Sequence, residues 1–588
     1  MCGIAGLAGP DAALHTTTVA SMGSAQHHRG PDGTTHRTAR DQHAVMSMNI
    51  LRIVNPEAAN GPYTDPETGL LAALNGEIYN YRECARRWDI PLAENETDAH
   101  LVLRAWARLG TGCLEHLDGM FALAVYDPRQ SRLFLVRDRL GEKPLYWRLD
   151  GGRLAFASEI TSLTGYGRAP VVLRPEMMSL ETPTGVDTPY QGIQLLAPAT
   201  VLEFHALTAS MEQHRWWNLP SGDPIDLPYR DSTALATRLL AEQVPMRRPD
   251  GDYALLLSGG LDSSLLAYLM CPPVCVTVRY PGQERFDESH IARRVACDIG
   301  ADLLVVEPQP DDFQSHLPDI IRALDYPVGN ASTFPEYMAY RTIADHGLRV
   351  VIGGLGPDEF LLGYARHALA LFGPTAVLDA GMHAYRPLAA KLMSAADAPL
   401  DAVETVTRLI LRGPDPDHRV RSIVRGSLEA AHGDLGRALT LIDLATSWRP
   451  LVATSDKLAS SLALERRSPY LARPLVEFFH RLPTEHKITH PVQGKRILRD
   501  AARELGVPRQ VWASTDKIGF ASPLPDWLTG PLAPWTDQTI TTALDQAPEG
   551  IAALLRSGLA RRGGFNRTRV HALMTAHWLT STSLPQAA

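Results

Sequence analysis

The chain has 588 residues, which is too long for one hydrophobic core and predicts at least two domains. Hydrophobic residues make up 45% and the formal net charge is −8, as in an ordinary globular protein. There is no long basic run, no apolar stretch of about 18 residues and no basic leader segment. We therefore expect a cytoplasmic protein that binds neither nucleic acid nor a membrane.

Cysteine usage indicates free thiols. The six cysteines are sparse and irregularly spaced, which is not the pattern of a disulfide framework. Cys271 and Cys275 form a C-x-x-x-C pair, but no second cysteine pair or histidine cluster completes a zinc site.

Cys2 stands directly behind the initiator Met1. Removal of Met1 would give one residue both a thiol and a free α-amine. Because the pKa of a free α-amine is about 8, that amine can relay the proton that the thiol must lose. An ordinary cysteine in a first strand is the alternative, and position alone does not decide between them.

Residues 1–218 are predicted to form a β-rich domain. Short apolar runs at 70–74, 119–127 and 132–137 are separated by Gly, Asp and Asn turns. Residues 101–109 have the apolar spacing of a helix. A segment rich in Pro, Gly and Asp at 219–228 is the predicted linker.

Residues 229–588 show a different pattern. An apolar strand at 254–257 precedes a glycine turn and a helix at 265–270, and further strands follow at 274–278 and 350–352. Strand, turn and helix in repetition predict a parallel α/β sheet. Beyond about residue 365 the chain is rich in Ala, Leu and Arg and is predicted to be mostly helical.

The turn after the first of these strands reads Ser-Gly-Gly-Leu-Asp-Ser-Ser at 258–264. Glycines let the backbone approach a ligand closely, and the following helix presents unpaired N–H groups to an anion. The spacing is that of neither the G-x-x-x-x-G-K-S/T loop nor a dinucleotide fingerprint. It matches the pyrophosphate loop of enzymes that cleave ATP to AMP and pyrophosphate.

Lysine is scarce, with six residues in the chain. Lys143, Lys495 and Lys517 fall inside motifs. A lysine kept in an arginine-dominated chain is expected to serve as a compact point charge.

Cys2-Gly3-Ile4 together with the mid-chain loop resembles glutamine-dependent asparagine synthetase and its amidotransferase relatives. The resemblance covers most of the chain, and further matching segments occur in the family's order: 28–32, 74–80, 97–98, 119–127, 136–141, 143–146, 157–159, 353–359, 465–471, 494–495 and 517–520. It implies an α/β (α+β multidomain) protein. An N-terminal-nucleophile αββα glutaminase domain at 1–218 would precede an α/β parallel-sheet ATP-pyrophosphatase domain at 229–588 with a helical C-terminal part.

The resemblance implies a glutamine site in the first domain. The Cys2 thiolate would attack the glutamine amide, with the Asn75 side chain and the Gly76 N–H stabilising the oxyanion. Glu77 and Asp98 would hold the substrate ammonium.

The resemblance also implies an ATP site with Mg²⁺ in the second domain. A carboxylate oxygen would attack the α-phosphate, giving an acyl-adenylate and pyrophosphate, and ammonia would reach that adenylate through an internal tunnel. Lys495 would stabilise charge on the phosphates, and Asp262 and Asp358 would help bind Mg²⁺. The implied ATP contacts are Leu257, Ser258, Gly259, Gly260, Leu261, Asp262, Ser263, Val278, Gly353 and Gly354.

Several positions depart from the family pattern. The arginine expected for the glutamine carboxylate falls at Ile50, and Arg52, two residues on, is predicted to replace it. Leu355 stands where an acidic residue is usual, Pro357 replaces a small residue, and Ala472 replaces an acid after Pro469-Tyr470-Leu471. These changes predict retained ATP chemistry with a changed acceptor pocket.

The leading interpretation is an ATP- and glutamine-dependent amidotransferase, with a homodimer as the candidate assembly. Asparagine made from aspartate is the default product, and the amide of another small carboxylic acid in specialised metabolism is the alternative. A catalytically silent binding or regulatory relative, or a glutaminase without synthetase activity, are further alternatives. Relatives that close β-lactam or peptide rings typically lack the N-terminal cysteine, which argues against them here.

Overall fold

The computed structural model describes residues 2–53, 60–167, 169–172, 174–394, 400–413, 418–514, 522–560 and 567–581. Met1 and the Lys517-Ile518-Gly519-Phe520 motif lie outside these residues. Among the described residues, no helix is both long and apolar enough to cross a lipid bilayer.

The first domain contains two six-stranded sheets whose neighbouring strands pair antiparallel. Its strands are β1 (Gly3–Ala8), β2 (Thr34–Thr38), β3 (Ala44–Asn49), β4 (Tyr63–Thr64), β5 (Leu71–Ile78), β6 (Gly119–Asp127), β7 (Arg132–Arg137), β8 (Tyr146–Asp150), β9 (Arg153–Ala157), β10 (Gln194–Leu195), β11 (Thr200–His205) and β12 (Met211–Arg215). One sheet has the order β10-β8-β9-β1-β3-β2 and the other β12-β11-β7-β6-β5-β4.

Helices cover the outer face of each sheet. The helices of this domain are α1 (Thr16–Ala25), α2 (Tyr81–Arg87), α3 (Asp98–Leu109), α4 (Ile160–Thr164) and α5 (Pro175–Ser179). Alternation along β5 explains the layering, because Leu71 and Ala73 pack between the sheets while Ala72 and Leu74 pack under α2 and α3. The predicted αββα arrangement is confirmed.

The second domain is built on a five-stranded parallel sheet in the order β15-β14-β13-β16-β17. Its strands are β13 (Ala254–Leu256), β14 (Val274–Val278), β15 (Asp302–Val306), β16 (Val350–Ile352) and β17 (Glu465–Arg467). Ala254 and Leu256 face one core and Leu255 the other, so this strand is buried on both sides as a run of apolar residues predicts.

Helices flank this sheet and form the C-terminal part, as predicted. They are α6 (Tyr229–Gln243), α7 (Leu261–Met270), α8 (Ser289–Ile299), α9 (Pro310–Leu324), α10 (Thr333–Asp345), α11 (Pro357–Phe360), α12 (Ala365–Asp379), α13 (Arg386–Met393), α14 (Ala402–Ile410), α15 (Arg419–Ala430), α16 (Leu435–Thr446), α17 (Trp448–Ser460), α18 (Arg473–Arg481), α19 (Thr484–Lys487), α20 (Arg496–Glu504), α21 (Arg509–Trp512), α22 (Leu524–Thr529), α23 (Ala533–Leu544), α24 (Glu549–Ala560) and α25 (Arg567–Ser581). Short 3₁₀ helices occupy Ala12–His15, His27–Arg29, Gly110–His116, Pro245–Arg247, Glu284–Phe286, His383–Tyr385 and Pro469–Leu471.

Candidate active sites

Cys2 lies at the entry to β1, and its side chain is partly buried. Its backbone N–H donates to Asn75 Oδ1 at 3.1 Å, which joins the two sheets of the first domain at this point. Burial raises the pKa of the Cys2 thiol. The thiol therefore needs a base before it can attack, and a terminal α-amine on the same residue would supply one.

Asn75 and Gly76 sit side by side on β5. The Asn75 Nδ2 group is buried and donates to no described residue, while its Oδ1 is occupied by Cys2. A buried amide donor beside a thiol suits a developing oxyanion. Gly76 has φ +142°, and a Cβ there would lie 1.9 Å from the Met120 carbonyl oxygen, so only glycine fits.

Two carboxylates lie next to this pair. Asp98 begins α3 and accepts from the backbone N–H groups of Ile78 at 2.9 Å and Ala99 at 2.8 Å. Burial raises the pKa of Asp98 to about 6. Burial and then the charge of Asp98 raise the pKa of Glu77 to about 8. A nearby cation stabilises the ionised form of two buried, neighbouring carboxylates. The ammonium group of glutamine would be such a cation.

Arg52 is tied into the neighbouring loop. Its guanidinium donates at 2.8 Å to the Asp32 carbonyl and at 2.8 Å to Asn60 Oδ1, and its backbone N–H donates to the Asp32 carboxylate. Ile50, where the family arginine would fall, is buried in the core between the sheets. The part of Arg52 in binding the glutamine carboxylate stays a prediction.

Tyr63 belongs to the same pocket, although sequence reasoning gave it no role. Burial raises the pKa of its hydroxyl, and the charges of Cys2 and Asp98 raise that pKa further. Its ring packs edge-on against His100, with ring centroids 4.8 Å apart. No residue pattern in β4 (Tyr63–Thr64) distinguishes this tyrosine from one that only packs.

Arg29 is a second residue without an assigned role. It is fully buried, and its Nε donates to the Cys2 carbonyl at 3.2 Å. Its remaining nitrogens donate to Glu159 at 3.2 Å, to Ser460 at 2.8 Å and to Asp456 at 2.8 Å. Asp456 also accepts from Lys143 Nζ at 3.0 Å. The backbone of the nucleophile is thereby fixed to α17 of the second domain.

Strand β17 lies between the two sites. Arg467 pairs with Glu465 at 2.7 Å and reaches Glu77 of the glutamine pocket at 3.7 Å. Its neighbour Arg466 points the other way and lines a cavity that surrounds the 258–263 loop, which we call the nucleotide cavity. Adjacent residues of a strand face opposite sides, so one strand forms part of the wall of both sites.

The nucleotide cavity has a volume of about 370 Å³. Of the predicted ATP contacts, the cavity is lined by Ser258, Gly260, Leu261, Asp262, Ser263, Gly353 and Gly354. Leu257, Gly259 and Val278 are not among the lining residues, and Leu256 occupies the wall instead of Leu257. Leu257 is fully buried in the core on the other face of the sheet. The predicted roles of these residues remain predictions.

The 258–264 loop has the form that its sequence predicts. Gly259 has φ +84°, and a Cβ there would lie 2.9 Å from the Glu288 carbonyl oxygen. The hydroxyl oxygens of Ser258 and Ser263 are 3.0 Å apart, and Gly260 caps the N-terminus of α7. The helix therefore points its unpaired N–H groups into the cavity, where an anion is favoured.

Lys495 sits in this cavity and is buried. Its Nζ pairs with Asp262 at 2.5 Å and with Asp358 at 2.8 Å. These ion pairs raise the pKa of Lys495, although burial alone would lower it, so it stays charged. Two carboxylates that meet at one point beside a phosphate loop are oxygen ligands of the kind Mg²⁺ prefers. Among the described residues, no group of three or more His, Cys, Asp or Glu gathers as a metal site.

The three residues of the second domain that depart from the family pattern lie in different surroundings. Leu355 lines the nucleotide cavity, so an apolar side chain occupies the wall where a carboxylate was expected. Pro357 is buried at the first position of α11. Ala472 is fully buried in the core and does not line the cavity. Of the three changes in the second domain, Leu355 is therefore the one that alters the cavity surface directly.

The two halves of the chain match two family models. Residues 1–217 match the glutamine amidotransferase domain and residues 236–587 match asparagine synthase. Fold and site together define a glutamine-hydrolysing amidotransferase of the ligase class. More particularly, the chain belongs to the asparagine synthase family.

Curated relatives match along nearly the full length. The chain is 27% identical to a putative glutamine-hydrolysing asparagine synthetase of Mycobacterium bovis, over 95% of this chain and 93% of the relative. It is 23% identical to asparagine synthetase 1 of Bacillus subtilis, over 87% and 85%. It is 25% identical to the amidase chry2 of Gibberella zeae, over 88% and 86%. Similarity thus extends to proteins called synthetases and to one called an amidase.

Proposed function

We propose that this chain releases ammonia from glutamine at Cys2 and uses ATP to join that ammonia to a carboxylic acid as an amide. The observation that carries the proposal is the position of β17. Arg466 faces the nucleotide cavity and Arg467 faces the glutamine pocket, so the two sites share one strand. A shared wall suits direct delivery of ammonia through the protein interior.

In the first step the Cys2 sulfur attacks the amide carbon of glutamine and a thioester forms as ammonia leaves. The buried Nδ2 of Asn75 and the N–H of Gly76 would donate to the oxyanion. Glu77 and Asp98 would hold the ammonium of the substrate. Water then releases glutamate and regenerates the thiol.

In the second step the acceptor carboxylate attacks the α-phosphate of ATP, forming an acyl-adenylate and releasing pyrophosphate. The Ser258–Ser263 loop and the N-terminus of α7 would hold the departing phosphates, and Lys495 would offset their charge. Mg²⁺ held by Asp262 and Asp358 would neutralise phosphate oxygens. Ammonia then displaces AMP to give the amide.

The acceptor has two candidates. Aspartate would give asparagine, and two of the relatives are called asparagine synthetases. A different carboxylic acid is favoured by one observation, the apolar Leu355 in the cavity wall. The free state of all six cysteines is compatible with a cytoplasmic location for either reaction.

The test supplies amide-¹⁵N-labelled glutamine, MgATP and a panel of carboxylic acids, and follows pyrophosphate and the labelled product. We expect one acid to elicit stoichiometric AMP, pyrophosphate, glutamate and ¹⁵N-amide. Label that is diluted by unlabelled ammonium added to the medium would contradict internal delivery. If no acid in a broad panel elicits pyrophosphate, the synthetase step is wrong and a glutaminase remains.

A further inference from the structure

A second cavity adjoins the nucleotide cavity. It has a volume of about 210 Å³, and it shares Asn330, Tyr364 and Leu451 with the larger one. The ATP chemistry described above uses none of its other residues. Because the two cavities share three wall residues, a ligand bound in the nucleotide cavity can extend into the second one.

Three guanidinium groups line this second cavity: Arg366, Arg412 and Arg567. Arg567 pairs with buried Glu181 at 2.8 Å. Arg366 pairs with Asp443 at 2.8 Å. Arg412 has no ion-pair partner among the residues that the structure describes, and it faces the cavity.

Positively charged side chains outnumber negatively charged ones around the second cavity. Asp443 is shared between Arg366 and His367. Glu181, which lines the cavity, accepts a hydrogen bond from Arg567 Nε at 3.0 Å and pairs with Arg567 Nη2 at 2.8 Å. Burial and then the charge of Arg567 lower the pKa of Arg412 to about 10. Burial and then the charge of Arg412 lower the pKa of nearby Lys391 to about 8. Cations that are destabilised by burial and by one another favour an anionic ligand.

The wall shared by the two cavities is uncharged. It consists of an amide, a phenol and a leucine, and Leu355 lies on the nucleotide side. Among the carboxylates of the nucleotide cavity, Glu336 accepts from Tyr340 at 2.6 Å and from Ser455 at 2.7 Å. It also lies 3.9 Å from Arg466. Asp262 and Asp358 are paired with Lys495. Glu288, which also lines the nucleotide cavity, lies against the phosphate loop. No described residue that lines both cavities is a carboxylate, so an ammonium group at their junction would meet an amide, a phenol and a leucine.

We infer that the second cavity binds an anionic group at the far end of the acceptor acid, and that the segment between this group and the reacting carboxylate carries no charge. The acceptor class is thus a carboxylic acid with a second anionic group and an uncharged, largely apolar spacer, in contrast to an α-amino acid. Planar guanidinium groups bind carboxylates and phosphates through paired hydrogen bonds, which suits such a group. This inference rests on the proposed function and names its substrate.

The test compares acids that differ in one group. Straight-chain diacids of four to eight carbons are paired with ω-hydroxy acids of the same length, and succinate and glutarate are paired with aspartate and glutamate. The specificity constant for pyrophosphate release is measured with MgATP and ammonium chloride. We expect at least one diacid to exceed its hydroxy partner by about 10- to 100-fold, which is the effect of one charge-assisted hydrogen bond. We expect each amino-substituted acid to be poorer than its unsubstituted partner.

The Arg412→Met variant should bring the ratio of diacid to hydroxy acid close to one, and Arg412→Lys should restore part of it. Arg425→Met, which changes an exposed arginine of α15 outside both cavities, is the matched control and should keep the wild-type ratio. The midpoint of thermal unfolding and the KM for MgATP report whether the second domain of each variant is folded.

The wild-type protein alone can overturn the inference. It would do so if its specificity constant were higher for the hydroxy acids than for the diacids, or higher for aspartate than for succinate. The inference would also be overturned if Arg412→Met lowered the specificity constants of a diacid and of its hydroxy partner by the same factor. If no acid gives pyrophosphate, the proposed function fails. Calorimetric binding of glutarate against 5-hydroxypentanoate then decides the inference separately, with tighter binding of glutarate supporting it and equal binding contradicting it.

Discussion

The glutamine pocket and the nucleotide cavity handle their charges in opposite ways. In the glutamine pocket, Glu77 and Asp98 are both carboxylates whose pKa is raised, and the Asn75 amide donor has no described partner. In the nucleotide cavity, Lys495 is already paired with Asp262 and Asp358. The first arrangement favours a small cation, as the proposed glutamine ammonium would be. Under the proposed function, the second site would exchange its internal ion pairs for contacts with ATP and metal, and binding there would require rearrangement.

Cys2→Ala should have the largest effect, because it should abolish the activity of one site and leave that of the other. Because the thiol is proposed to form the covalent bond, glutamine hydrolysis should fall by at least about 10⁴-fold. Pyrophosphate release with ammonium chloride in place of glutamine should persist, since Lys495 and the phosphate loop lie in the other domain. Glutamate release and pyrophosphate release are measured side by side, and loss of both activities would contradict two separable sites.

Lys495→Met is the converse change. It removes the charge proposed to offset the phosphates and leaves Asp262 and Asp358 facing one another, so ammonia-dependent pyrophosphate release should fall by about 10³-fold. Glutaminase activity should fall far less. Lys495→Arg is the control for charge without a compact ammonium, and we expect only slight recovery. Full activity in Lys495→Arg would mean that any cation suffices.

Asn75→Ala should have an intermediate effect. Loss of one oxyanion donor lowers kcat for glutamine hydrolysis by about 10²-fold, with a smaller effect on KM. Steady-state kinetics of glutamate release measure both parameters. A change confined to KM would instead assign Asn75 to ground-state binding. Asn80→Ala, an asparagine whose side chain contacts His116 and Asp118, is the matched control.

The smallest expected effect is a pH dependence of glutamine binding. The pKa of Glu77 is about 8 and that of Asp98 about 6, so both carboxyls are largely protonated at pH 5.5 and progressively ionised as pH rises. Only the ionised forms attract the substrate ammonium. The Kd of glutamine should therefore fall about tenfold between pH 6 and pH 8.

Calorimetry on Cys2→Ala isolates this binding effect, because that variant has no reactive thiol to titrate. Glu77→Gln should flatten the upper part of the profile. A Kd that is constant in Cys2→Ala over this pH range would show that the ammonium is held elsewhere.

Much of the architecture was predictable because it is local in sequence. The apolar run at 119–127 is strand β6 (Gly119–Asp127), and the Ser-Gly-Gly-Leu-Asp-Ser loop joins β13 to α7 as its composition predicts. Cys2 and Asn75 are 73 residues apart, yet each stands in its own motif, so their meeting was also expected.

Other features depend on how the domains pack, which no local pattern encodes. Arg29 and Asp456 are 427 residues apart, and Asp456 lies in none of the motifs, so nothing in the sequence indicated it as a partner of Arg29. The choice of Leu256 over Leu257 for the cavity wall depends on the phase of a three-residue strand, where a shift by one residue exchanges the two faces. The second cavity draws its arginines from three separate segments, so sequence spacing gave no sign of it.

The contact between Arg29 and Asp456 restricts how domains of this kind can be exchanged. A chimera that keeps this glutaminase domain but takes a synthetase domain without an acid at that place leaves a buried guanidinium short of its counter-charge. Breaking a buried ion pair in this way costs about 3–5 kcal/mol. Because Arg29 also holds the Cys2 carbonyl, the loss reaches the backbone of the nucleophile. Recombination between relatives therefore has to carry both residues together, even though 427 residues separate them along the chain.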